Sequence, residues 1–180
     1  MIHDIKEYVK YLDGIHKRRM QYMKAIPNEL LDWKPSEDKF STGDLLRHIA
    51  SSRLMFLGIF EYETWTYTGH DSGKGASLED ISNYLEACQI RLTEGLLKVG
   101  NTVLTKKVIT LHGHEVSVWR ILMAIPEHEI HHRGQISTYL SRRSSVTRAL
   151  RLNWVRYNVG GFVSFNDNEG TFVSLDRLTK

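Results

Sequence analysis

The chain has 180 residues, 41% hydrophobic and 25% charged, a composition that suits a soluble globular domain with a sizeable core. A formal net charge of +3 is too small by itself to imply a nucleic-acid binder, and no apolar run approaches the roughly 18–20 residues of a membrane span. The single cysteine, Cys88, excludes an internal disulfide, and with an N-terminal stretch that is amphipathic rather than signal-like it points to a cytoplasmic compartment.

Prolines occur at 27, 35 and 126 only, so long helices are permitted. The first is predicted from about Ile2 to Ala25, where Ile5, Tyr8, Val9, Leu12, Ile15 and Met20 recur at roughly helical spacing. IPNELLDWKPSEDKF is a connection. The second helix opens at STGDLLRHIA, with Ser41 or Thr42 as cap and Asp44 completing a capping box. Its apolar stripe is Leu45, Ile49, Met55, Phe56, Ile59 and Phe60. TGHDSGKGAS is glycine-rich but lacks the spacing of a phosphate-binding loop and reads as a connector. The third helix starts near Ser77, with Asp80 three positions on. Leu78, Ile81, Leu85, Cys88, Leu92, Leu96 and Val99 step three and four apart, a bundle-core pattern. Cys88 therefore reads as a small buried hydrophobe. Val108 to Val116, around His112-Gly113-His114, predicts a short hairpin. The fourth helix is expected from about Ser117 to Ser141, with a kink or short break at Pro126.

Beyond Arg142 the pattern changes. Residues 1–141 read as one domain, an all-α four-helix bundle with a short β-hairpin before its last helix. Residues 142–180 read as a C-terminal extension: first a basic run, Arg142, Arg143, Arg148, Arg151 and Arg156, then two strand-like runs around NDNEG. A hairpin and an irregular tail are both open readings there. Only Trp154 and Tyr157 are interleaved with the arginines, so the run reads as a solvated face rather than a nucleic-acid surface.

The chemistry concentrates in PEHEIHHRGQ, residues 126–135. Val118, Ile121, Ile125, His128, His132, then Ile136 or Gln135, then Tyr139 share one seam of the fourth helix. His128 and His132, four apart, have Cβ atoms about 5–6 Å from each other, close enough for both imidazoles to reach one ion at about 2.0–2.1 Å. His48 lies beside the apolar stripe of the second helix and completes a three-histidine set if the seams face each other. Three ligands leave a position open for water or substrate. The competing reading is hydrogen-bonded core histidines. HEIHH also matches H-E-x-x-H, in which Glu129 would be the base of a metalloprotease. Gln135 and Thr138 stand where the extended signature needs glycine and histidine.

STGDLLRHIA, followed some eighty residues later by HEIHHRGQISTYL, resembles the DinB-like (YfiT-like) superfamily. IPNELLDWKPSEDKFS resembles that family's approach to its second helix, and the likeness covers about residues 1–141. The resemblance implies a divalent metal, zinc or nickel, held by His48, His128 and His132. It also implies a crossing connection between the second and third helices, and a homodimer. The activity it implies is thiol-dependent S-transferase chemistry, with a low-molecular-weight thiol as co-substrate and a small-molecule substrate. No nucleic acid and no membrane are expected as partners. A metal-dependent hydrolase and a non-catalytic metal-binding dimer are the alternatives. Two departures stand out: Ser52 occupies a position where many members carry an acidic residue, and the segment after Arg142 lacks the usual short, proline-containing ending.

Three further residues are candidates for the substrate or for orienting the ligands. Arg133 is either a bidentate clamp for a carboxylate or thiol cofactor or part of a surface or interhelix salt bridge. His131 is a general base or a polar residue at a helix–helix or dimer contact. Gln135 lies beside the seam. Gly134, which costs a helix about 1 kcal/mol, is expected to have a packing reason. His112 and His114 are expected to be exposed turn residues.

Overall fold

The computed structural model describes residues 2–24, 26–142, 163–165 and 172–174. Four helices dominate: α1 (Ile5–Met23), α2 (Thr42–Tyr62), α3 (Leu78–Val99) and α4 (Val118–Arg142). α1 begins after Asp4, whose side chain accepts from the Lys6 amide, so it starts later than periodicity alone predicts. Ser41 and Ser77 cap α2 and α3, and Asp44 and Asp80 close both capping boxes. β1 (Lys107–Ile109) and β2 (Glu115–Ser117) form the expected antiparallel hairpin, with Val108 opposite Val116 and Gly113 at positive φ in its turn.

α4 runs through Pro126 without the expected break. Proline has no amide proton, so the Leu122 carbonyl, four residues back, loses its helical donor. The buried Tyr8 hydroxyl donates to that carbonyl instead. Burial raises the Tyr8 pKa and keeps it a donor. A partner on another helix thus satisfies the one group that proline orphans.

Cross-helix pairs fix the helix directions. Ser51 meets Tyr84 and Leu57 meets Gly95, so α2 and α3 are parallel neighbours. His16–Glu86 and Asp13–Gln89 make α1 antiparallel to α3. Phe56–His128 and His48–His132 make α2 antiparallel to α4. Tyr8–Leu122 and Arg19–Glu129 make α1 parallel to α4. A connection between parallel neighbours must travel back along the bundle, and residues 63–77 do so. Arg47 donates to the His70 and Gly75 carbonyls at 2.9 and 2.7 Å, and the Ser51 hydroxyl donates to the Gly69 carbonyl at 2.5 Å. The crossing connection is therefore strapped to α2 by residues on either side of His48.

The apolar core has two parts. Tyr22, Leu45, Leu46, Ile49, Leu85, Cys88, Ile136 and Leu140 belong to one; Tyr8, Leu12, Phe56, Leu57, Leu92, Leu96, Leu122 and Ile125 belong to the other. On each helix the break between them falls at a buried polar position: Arg19, Arg53, Gln89, and Glu129 with Arg133. Cys88 is buried, as expected of a small hydrophobe on that stripe, and burial raises its thiol pKa.

Two glycines behave differently. A Cβ on Gly95 would lie 2.4 Å from Leu57 Cδ1, and Leu57 is itself buried. Gly95→Ala is expected to lower stability by about 1–3 kcal/mol through overpacking, despite about 1 kcal/mol of better helix propensity; a lower urea midpoint would show it. Gly134 shows no packing reason among the described residues, where a Cβ would meet nothing within 4 Å.

No helix among the described residues is long and apolar enough to cross a membrane. Beyond α4, β3 (Val163–Phe165) and β4 (Phe172–Ser174) pair antiparallel, with Phe165 opposite Phe172, as the hairpin reading expects. The basic run from Arg143 to Arg156 lies outside the described residues.

Candidate metal centre

His48 projects from the second turn of α2, and His128 and His132 from successive turns of α4. Their Nε2 atoms converge. His128 Nε2 lies 3.0 Å from His48 Nε2 and 3.1 Å from His132 Nε2. Donors so spaced, each about 2.0–2.1 Å from a shared ion, would subtend about 90–100° at it, so the set fits a divalent cation. Among the described residues these three are the group able to hold one.

The electrostatics agree with that fit. Burial, reinforced by the neighbouring imidazoles, lowers His48 to about 4 and His128 to about 3. Burial also lowers His132, while its bond to Gln135 opposes the shift. All three are thus neutral near pH 7, the form that ligates a metal. The outer nitrogens are held as well. His132 Nδ1 lies 2.7 Å from Gln135 Oε1, an acceptor, so Nδ1 carries the proton and Nε2 keeps its lone pair. His48 Nδ1 lies 2.7 Å from the Tyr67 hydroxyl. These neutral partners hold two of the ligands; Ser52, one turn after His48, is buried in α2.

Glu129 is turned into a buried ion-pair layer beside this cluster. It is 3% exposed, and its Oε2 accepts from Arg19 Nη1 at 2.8 Å and from Arg53 Nη2. Burial alone would raise its pKa, but Arg19, Arg53 and Arg133 together hold it below the ordinary carboxylate range. Arg19 in turn donates to His16 Nδ1, and His16 Nε2 reaches Glu86 at 2.5 Å. The H-E-x-x-H match therefore has its two ligand histidines in a cluster but its glutamate in the structural polar layer.

Arg133 is buried in that same layer, one turn after Glu129. Gln135 is the partner of His132. His131 is exposed, its ring 5.0 Å from that of His132. His112 and His114 are exposed in the hairpin turn. Sequence reasoning misses Arg19 and Arg53, although each sits four residues after a stripe isoleucine, Ile15 and Ile49, where an arginine on an apolar face was the available signal. It also misses Tyr67, His70 and Phe40. The Phe40 ring lies 4.3 Å from His70 and 5.7 Å from His48, and no local pattern announces these loop contacts.

An all-α bundle with a crossover between parallel helices, and with three histidines converging from two antiparallel ones, is the class of protein that fold and site define. The chain belongs to the DinB family, whose match spans residues 1–143. It is similar to a solved DinB-like protein from Bacillus cereus ATCC 10987, with 16% identity, a TM-score of 0.66, and 79% of this chain and 95% of that one covered. It is also similar to the DinB-like protein YjoA from Bacillus subtilis, at 19% identity and a TM-score of 0.60, covering 76% of this chain and 91% of that one. At these identities the likeness shows the shared fold. No curated protein matches the chain.

Proposed function

We propose that the protein is a divalent-metal-dependent enzyme that joins a low-molecular-weight thiol to a small electrophile. The observation that carries this reading is the convergence of three neutral imidazole nitrogens, 3.0 and 3.1 Å apart, with no fourth protein ligand in the group among the described residues. His48, His128 and His132 would hold zinc or nickel, both of which suit imidazole. Such an ion supplies positive charge that favours the anionic, nucleophilic form of a thiol.

The chain's own residues set the conditions for that chemistry. Gln135 holds the donor tautomer of His132. Glu129 is committed to Arg19 and Arg53, so among the described residues the cluster has no free carboxylate of the kind a hydrolytic zincin uses. That favours an external thiol over an activated water as nucleophile. In the transfer, the thiolate sulfur bonds to the electrophilic carbon, and the leaving group departs with the electron pair of the broken bond.

Titrating the cobalt-substituted protein with cysteine, glutathione and 2-mercaptoethanol tests the reading. It predicts a new near-ultraviolet absorption from sulfur on cobalt with at least one thiol. An unchanged spectrum with all three, together with thiol-independent ester hydrolysis, would replace it with a hydrolase. An unchanged spectrum without hydrolysis would leave a metal-binding protein without turnover.

A further inference from the structure

We propose that Tyr67 and His70 are positioning residues, forming a directed hydrogen-bond relay that fixes the tautomer and ring orientation of His48. This rests on the metal-site reading above and assigns residues beyond the three ligands. The Tyr67 hydroxyl lies 2.7 Å from His48 Nδ1 and 2.9 Å from His70 Nδ1. A phenol has a single proton, so it donates to one neighbour and accepts from the other. If His70 Nδ1 accepts that proton, Tyr67 can only accept from His48. The His48 Nδ1–H then points outward, and its Nε2 lone pair points at the other two ligands. The chain reads His48 Nδ1–H to Tyr67 Oη–H to His70 Nδ1, each member setting the next.

The surroundings hold the three groups in place, and the direction follows from the lone pair that a metal needs on His48 Nε2. Tyrosine carries its phenol proton near pH 7. Phe40 packs on the His70 ring at 4.3 Å. The crossover that carries both residues is strapped to α2 through the His70, Gly69 and Gly75 carbonyls by Arg47 and Ser51. The helix that presents the ligand therefore also anchors the loop that orients it. His132 uses a simpler device, because a carboxamide oxygen can only accept. Both orienting partners are neutral, unlike the carboxylate that often fills this role.

The test measures zinc affinity by competition with a chromophoric chelator, and the visible spectrum of the cobalt form, in the wild type, Tyr67→Phe, His70→Ala and His70→Asn. Loss of an outer partner typically weakens metal binding about 10–100-fold. Tyr67→Phe is expected to fall in that range with an altered cobalt spectrum, and His70→Ala to weaken binding less. His70→Asn is expected to restore it, because the asparagine oxygen stands near the place of Nδ1 and accepts the phenol proton. A structural role for the imidazole on Phe40 would make the two His70 variants equal, and that outcome would overturn the part given to His70. Wild-type affinity and spectrum in Tyr67→Phe would overturn the relay as a whole. A wild type that binds neither zinc nor cobalt would remove the metal reading first and the relay with it.

Discussion

Replacing Glu129 by alanine is expected to destabilise the protein by about 3–5 kcal/mol, the cost of removing one partner from a buried ion pair. Arg19 and Arg53 are 1% and 4% exposed and both donate to the same carboxylate oxygen. Without it, two guanidinium groups would face each other between the two halves of the apolar core. His16 cannot take up the charge as an anion would; burial and Arg19 already lower its pKa. Urea unfolding followed by circular dichroism measures the effect. A loss under about 1 kcal/mol, typical of exposed pairs, would contradict the role assigned to the polar layer. The same residue separates two explanations of the H-E-x-x-H match. A general base would be lost in activity with the fold intact, whereas Glu129 is expected to be lost through the fold.

Removing a ligand is expected to act on the metal and hardly at all on the fold. His48→Ala and His132→Ala should each weaken zinc binding by more than the roughly 10–100-fold that an outer partner is worth. Both side chains are only half-buried, and each truncation removes a neutral imidazole rather than an unpaired charge. Their unfolding midpoints without metal should therefore stay close to the wild type, while zinc should raise the wild-type midpoint and leave theirs unchanged, since a ligand stabilises only the state that binds it. Isothermal titration with zinc, beside thermal melts with and without the ion, reads both effects. Two variants that bind zinc like the wild type would contradict the cross-helix site.

Much of this was legible in the chain because the signals were periodic and local. The stripe from Ile81 to Leu96 marks α3, and Ser41 with Asp44 and Ser77 with Asp80 mark two helix starts. The four-residue spacing of His128 and His132 placed them on one face, and packing the seams brought His48 to them. What escaped was long-range. Tyr8 capping Leu122, which explains how α4 passes Pro126, joins residues 114 apart in sequence. Tyr67 reaches His48 only because the crossover doubles back along α2. Arg19 and Arg53 were visible as arginines on apolar stripes, yet only the fold shows that both converge on Glu129. Gly134 failed for the opposite reason: its helix cost suggested a close approach, and the neighbour is absent among the described residues.

The most direct test is the metal content of the untagged wild-type protein, measured by elemental mass spectrometry after loading with zinc or nickel and desalting. The account predicts about one divalent ion per chain, retained through desalting by the three histidines. Protein that emerges from both loadings without stoichiometric metal would contradict it, and would return His48, His128 and His132 to the role of hydrogen-bonded core histidines.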